Sequence, residues 1–252
     1  MVEISSLVPT ATLDQDLQRR IVMSGFGQRA ARDLDVELCQ VPAIDMANEI
    51  RRAELNGFGG KLHGPYRNTI QVDQIRELVL DEPPFDVLVN NAGTNRTAEF
   101  ADVTIEDFDA VVDLNLRGAF FVAQAVVRRQ IDAGIGGSII NVSSQMGHVG
   151  AATRTVCCAS KHAIEGMTKA MAIDLAPYRI RVNTLCPTFV DTPMARTFLQ
   201  DPAVRHDVLQ RIKLGRVGQV EDLMGPLLLL ASEASRLMTG SSVVIDGGWT
   251  AD

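Results

Sequence analysis

The chain has 252 residues, 46% of them apolar, with a formal charge of −7 and an isoelectric point near 5.1. That length and apolar content suit one large α/β domain, or two small ones, with a sizeable core, and the acidic balance excludes the basic footprint of a nucleic-acid binder. No run of eighteen apolar residues marks a membrane span, and the start Met1-Val2-Glu3-Ile4 lacks the basic region of a secretory leader, so a cytoplasmic location is expected.

In chain order, Thr12 followed by Gln15 fits a helix-capping box, and Leu13, Leu17 and Ile21 recur at helical spacing, with Gly25 as a stop. The first strand is either residues 3–8 or residues 20–23, just before Ser24-Gly25-Phe26-Gly27. Residues 36–41 read as a strand, 45–55 as a helix stopped by Gly57-Phe58-Gly59-Gly60, and 72–80 as a further helix. From Phe85 onward the alternation is clean. Residues 85–89 are a short apolar run entering the turn Asn90-Asn91-Ala92-Gly93, as expected of a buried parallel strand. Residues 104–127 carry helical periodicity, opened by Thr104 with Asp107 in a capping box. Residues 138–142, 180–185 and 241–245 are strands, and 159–175 is a helix. Such alternation predicts a Rossmann-type, doubly wound parallel sheet with helices on both faces and ligands at the carboxyl ends of its strands. No repeat or linker divides the chain, so residues 1–252 are read as one domain.

The cysteines are Cys39, Cys157, Cys158 and Cys186, and none forms a C-x-x-C pair. Disulfide geometry disfavours a bridge between the neighbours Cys157 and Cys158, so reduced thiols are expected. No metal ligand set is predicted. His148 and His162 lie near Cys157 in sequence, but nothing in the spacing brings either ring to its sulfur.

Five segments stand in a telling order. They are Asn90-Asn91-Ala92-Gly93, Asn115 within Asn115-Leu116-Arg117-Gly118, Ser144 with Cys157 and Lys161, Pro187-Thr188-Phe189-Val190-Asp191-Thr192, and Asp246-Gly247-Gly248-Trp249. Over residues 85–252 the chain resembles the short-chain dehydrogenase/reductase family. There a Ser precedes a catalytic Tyr by thirteen positions and a Lys follows the Tyr by four. Ser144 and Lys161 keep that spacing, and the Tyr position holds Cys157. The resemblance implies an NAD- or NADP-dependent oxidoreductase that interconverts a secondary alcohol and a ketone. It implies that Ser144 orients the carbonyl oxygen, Lys161 holds the nicotinamide ribose and tunes the neighbouring acid, and Asn115 supports a proton relay. Asn91, Ala92, Gly93, Lys161, Pro187, Val190 and Thr192 would line the cofactor. A homotetramer or homodimer is implied too, built on the helices at 104–127 and 159–175 and on the segment from Val220 with the last strand.

Three departures qualify this. A nearby Lys lowers a thiol pKa, so acidity is no obstacle for Cys157. Reach is one, because a phenol oxygen stands much farther from its backbone than a cysteine sulfur. Direct catalysis by Cys157, water-relayed weak turnover or proton donation by another group, lost or strongly reduced dehydrogenase chemistry, and a thiol nucleophile all stay open, as does a non-catalytic binding or scaffold role. Second, the family's T-G-x-x-x-G-x-G turn has no match in residues 1–84. Gly25-Phe26-Gly27 is the nearest candidate, and its spacing favours a helix stop plus turn. Third, Thr188 replaces a Gly and narrows the nicotinamide end. Arg96 falls where substrate approaches and resembles the basic residues there in sugar-acid dehydrogenases of the family, which points to a carboxylate-bearing or polyol substrate, a solvated loop arginine being the other reading; the family resemblance admits a sugar-acid, polyol or 3-oxoacyl substrate.

Overall fold

In the computed structural model the described residues are Ile21–Ser24, Leu38–Cys39 and 84–251. They form strands β1 (Ile21–Ser24), β2 (Leu38–Cys39), β3 (Val87–Asn90), β4 (Gly137–Val142), β5 (Ile180–Pro187) and β6 (Ser242–Ile245). All pair in parallel, in the order β2-β1-β3-β4-β5-β6. The order reverses direction at β1, which places a crevice beside the carboxyl ends of β1 and β3.

The helices are α1 (Ile105–Val112), α2 (Ala119–Asp132), α3 (Thr155–Leu175), α4 (Pro193–Leu199), α5 (Pro202–Arg211) and α6 (Glu221–Ala231). Strand side chains alternate between the two sheet faces. Leu88, Ile139, Ile180 and Val182 pack with Val122, Ala123 and Val126 of α2 and Ala172 of α3. Val87, Val89, Ile140 and Leu185 pack with Leu223, Leu227 and Leu230 of α6. The predicted doubly wound α/β sheet is therefore what the chain forms.

The expected helix through Leu13, Leu17 and Ile21 is corrected at its end, because Ile21–Ser24 is a strand paired with β3 from Ile21↔Val87 to Ser24↔Asn90. Apolar side chains at 17 and 21 fit either period, and the pairing decides. The glycine candidates Gly25 and Gly27, the helices expected at 45–55 and 72–80, and residues 3–8 lie outside the described residues.

At α1, the Thr104 hydroxyl accepts from Asp107 N at 3.1 Å, as the capping box predicts. The Asp107 carboxylate does not return the bond; it pairs with Arg96 at 2.6 Å. A π-helical turn, Asp113–Gly118, joins α1 to α2. The combined helix Ile105–Asp132 is long and apolar enough to cross a membrane by composition alone, but one face of α2 lies in the core against the sheet.

Candidate active site

The turn after β3 carries Asn91, Ala92 and Gly93, all half-buried. Asn90, at the end of β3, donates to Ala119 O at 2.7 Å and to Asn141 Oδ1 at 3.3 Å, which fastens the turn to α2 and β4. Asn115 lies in the π turn, a distortion that re-aims side chains and is frequent at functional sites. It is 2% exposed, and its amide clamps Thr94 from both sides: Thr94 N donates to Oδ1 at 2.7 Å and Nδ2 donates to Thr94 O at 3.0 Å. Nδ2 also donates to Ser160 Oγ at 3.1 Å, tying the π turn to α3. A Cβ added to Gly93 would stand 3.3 Å from Asn115 Oδ1 and 3.8 Å from Lys161 Nζ. Gly93, Asn115 and Lys161 are therefore brought together around one small space.

Helix α3 begins at Thr155, earlier than the sequence pattern indicates, so Cys157 and Lys161 sit one turn apart on one face. The Lys161 ammonium donates to Val142 O at 2.8 Å, and burial pulls its pKa below the usual lysine value against the attraction of Cys157, Cys186 and Glu165. Cys157 is buried, and burial pushes its thiol up, outweighing the lowering by Lys161 and Arg154. The expectation that Lys161 makes Cys157 acidic is thus corrected, since desolvation of the thiolate outweighs the neighbouring charge. A ready thiolate nucleophile is not what this environment makes. His162 Nδ1 lies 2.9 Å from Cys158 O, on its own helix.

Ser144 follows β4 and caps a short 3₁₀ turn, accepting from Met146 N at 3.1 Å. Its hydroxyl donates to Gln145 Oε1 at 2.6 Å and lies 3.4 Å from Pro187 O. A substrate carbonyl must compete with Gln145 for that proton. No hydrogen bond joins Ser144 to Cys157 among the described residues.

Beyond β5, Val190 forms a parallel bridge to Gly218 that uses Phe189 O and Asp191 N, at 2.9 and 2.8 Å from Gly218, and makes no use of the Val190 amide. Thr192 caps α4, its hydroxyl accepting from Ala195 N at 3.3 Å. The Thr188 hydroxyl is buried without a hydrogen-bond partner among the described residues. The turn Asp246-Gly247-Gly248 has φ of 61° and 89° at its glycines, which only Gly adopts readily. The Asp246 carboxylate fixes this turn by accepting from Gly248 N, Thr250 N and Thr250 Oγ1 at 2.7–2.9 Å. That sets Trp249 against Phe189 with ring centroids 5.9 Å apart.

The residues present fit the nicotinamide half of a dinucleotide. The crevice at the sheet's direction reversal, the Gly93 gap beside Lys161 and the orphaned Thr188 hydroxyl all stand at the carboxyl ends of the strands. Lys161 would hold the ribose, and Thr188 with the Val190 amide would face the carboxamide end.

Sequence reasoning missed Glu165, Arg154 and Gln145. Glu165, 6% exposed, accepts from Ser242 Oγ at 2.5 Å, Thr184 Oγ1 at 3.0 Å and Cys186 Sγ at 3.3 Å. Burial raises its pKa, but hydrogen bonds from Ser143, Ser242, Cys186 and Thr184 together hold the carboxyl below the usual value. His148, Glu165 and Cys186 place possible ligand atoms within 4.8 Å of one another. The Cys186 thiol is pushed up to about 12, chiefly by burial, so it stays protonated and donates to Glu165. This set reads as a hydrogen-bonded strut between α3, β5 and β6, not a metal centre.

A parallel doubly wound sheet, with Gly93, Asn115 and Lys161 gathered around one space, defines a dinucleotide-type fold. The sequence matches the enoyl-(acyl carrier protein) reductase family model over residues 22–250. It is 37% identical over 238 residues to L-xylulose reductase of Bos taurus, covering 92% of this chain and 97% of that one. It is 39% identical over 234 residues to 3-oxoacyl-(acyl carrier protein) reductase of Thermotoga maritima, covering 89% and 93%. The structure resembles a gluconate 5-dehydrogenase from Burkholderia cenocepacia solved with NADP and tartrate, with a TM-score of 0.78, 30% identity and coverage of 93% and 96%. The chain belongs to the short-chain dehydrogenase/reductase family.

Proposed function

We propose that the protein is an NAD(P)-dependent oxidoreductase that interconverts a secondary alcohol and a ketone, with turnover limited by Cys157. The observation that carries this is the gathering of Gly93, Asn115 and Lys161 beside α3, with Ser144 at the end of the neighbouring strand. When bound, the nicotinamide supplies or accepts the hydride. Ser144 turns its proton from Gln145 to the carbonyl oxygen. Lys161 holds the ribose and supports ionisation of the proton donor. Asn115 holds the Thr94 loop and α3 in register for a relay of protons from solvent. Cys157 stands in the donor's position with a short arm and a raised pKa, so a water fills the gap between sulfur and substrate oxygen.

Sugar-acid, polyol and 3-oxoacyl substrates are the candidates, consistent with the xylulose, gluconate and 3-oxoacyl relatives. NADP is the dinucleotide in the gluconate 5-dehydrogenase structure; either NAD or NADP suits the described half of this site. The chain acts as one domain, in the cytoplasm with reduced thiols, as a homotetramer or homodimer. Exposed apolar side chains on and near α1 and α2 (Phe100, Ile105, Phe108, Phe120), and on α6, the segment after it and β6 (Leu228, Leu229, Leu237, Val244), are available for assembly. A second reading is a non-catalytic scaffold, favoured by the burial of Cys157 and its raised pKa.

Calorimetric titration with NADH and NADPH tests the reading. Micromolar binding supports the oxidoreductase. A folded oligomer that binds neither cofactor overturns it in favour of the scaffold.

A further inference from the structure

Arg154 stands immediately before α3, one turn ahead of Cys158, whose amide donates to Arg154 O at 2.8 Å. Its guanidinium lies 5.5 Å from the Phe189 ring centroid and 5.0 Å from that of Phe198. Phe189 belongs to the 187–192 segment at the nicotinamide end, and Phe198 to α4. The cation is therefore wedged between the elements that carry Cys157 on one side and Thr188 and Val190 on the other. It is half-buried and has no carboxylate partner among the described residues. The other arginines near the site are exposed or paired: Arg117, 6.0 Å from the Phe121 ring centroid, is exposed. Arg211, over Trp249 at 5.6 Å, is paired with Asp207, and Arg196 is paired with Asp191. Arg96, the residue that the sequence singles out for substrate, is paired with Asp107 at 2.6 Å and is largely exposed.

The backbone that delivers Arg154 is unusual. Thr153 has φ of 57°, a region that β-branched residues seldom enter. Its carbonyl accepts from Ala98 N at 3.1 Å, which joins this segment to the loop after Gly93. That loop holds Asn95, whose amide oxygen and nitrogen are both buried without hydrogen-bond partners among the described residues. An unpaired guanidinium and orphaned amide groups on two joined loops match a ligand with both negative charge and hydroxyls. The two rings hold the guanidinium by cation–π contact, and the planar N–H fork of an arginine matches a carboxylate bidentately.

We infer that Arg154 selects a carboxylate on the substrate, so that the site takes a polyhydroxylated acid in preference to the corresponding neutral polyol. This rests on the proposed function in placing the substrate beside Ser144 and Cys157, and it assigns the specificity to Arg154 in place of Arg96.

The test is calorimetric titration of the full chain, with and without NADP, using D-gluconate and sorbitol as matched charged and neutral probes. The proteins are the native chain and Arg154→Gln, Arg154→Met, Arg154→Lys and Arg96→Gln, each checked by melting. Arg154→Met keeps the packed stem should the Gln variant fail to fold. A charge-assisted contact predicts that the native chain and Arg96→Gln bind gluconate about tenfold or more tightly than sorbitol. The preference should vanish in Arg154→Gln and Arg154→Met and return in part in Arg154→Lys. Equal affinity for the two probes, binding of neither, or a preference that survives both neutral variants overturns the assignment. Failure of the oxidoreductase reading is separate: it shows as no nicotinamide binding, whatever the gluconate preference.

Discussion

Replacing Glu165 by Gln tests the strut behind the site. The carboxylate accepts from hydroxyls on β5 and β6 and from the Cys186 thiol, while His148 Nε2 lies 3.9 Å away. Glutamine keeps the shape but removes the charge, and its NH2 must face a hydroxyl or thiol that now donates. Bonds to a charged acceptor contribute about 1.5–3 kcal/mol each, against about 1 for neutral pairs. Weakening two such bonds and misplacing a third predicts a loss of about 2–4 kcal/mol at neutral pH. The pH sign follows from the lowered pKa. Glu165 contributes stability that is fully present above its unfolded value of about 4.3 and is lost as pH falls through the lower folded value. The gap between native protein and Glu165→Gln should therefore be constant from pH 6 to 8, roughly, and shrink in acid well below 4.3. Urea denaturation at matched protein concentration measures it. Equal stability at neutral pH, or a gap that widens in acid, would refute the strut.

Other outcomes follow from the same geometry. Cys157 should alkylate more slowly in the folded protein at neutral pH than in urea, since burial pushes its thiol up; mass spectrometry after iodoacetamide reads this, and rapid selective labelling would contradict it. Gly93→Ala puts a Cβ 3.3 Å from Asn115 Oδ1 and into the space beside Lys161. It should cost about 1 kcal/mol of stability and weaken NADPH binding, read by melting and titration. Gln130→Leu removes the Nε2 bond to Phe85 O at 2.8 Å in a fully buried site. The stranded carbonyl should cost about 1–2 kcal/mol, partly offset because Gln130 Oε1 has no partner.

The strands from β3 onward were legible because short β-rich runs alternate with helical patterns and end in turn residues: Asn91-Ala92-Gly93 after β3, Ser143-Ser144 after β4, Pro187 at the end of β5 and Asp246-Gly247-Gly248 after β6. Parallel strands buried on both faces leave that signature. Residues 20–23 were ambiguous because Leu13, Leu17 and Ile21 satisfy helical spacing, and the pairing of Ile21–Ser24 with β3 makes that segment a strand. The positions of Ser144, Lys161 and Asn115 were legible from motif order. The environment of Cys157 was not, since one visible lysine four residues away predicts acidity, whereas the desolvation that outweighs it comes from the packed tertiary structure. Arg154 was invisible for the same reason. Its rings, Phe189 and Phe198, come from segments distant in sequence, whereas Arg96 lies conspicuously beside a motif and proves to be paired with Asp107. The π turn at Asn115 had no signal, because it is a distortion within one continuous apolar pattern.

The Cys157→Tyr substitution asks directly whether a dehydrogenase site stands here with a short proton donor. The most direct measurement is NADPH oxidation with a panel of keto acids and ketoses by the native chain and by Cys157→Tyr, at equal cofactor occupancy. A positioned general acid contributes about 10²–10⁴-fold, so the tyrosine variant should turn over faster by a factor in that range. A variant that folds and binds NADPH yet shows no gain over the native chain would contradict the claim.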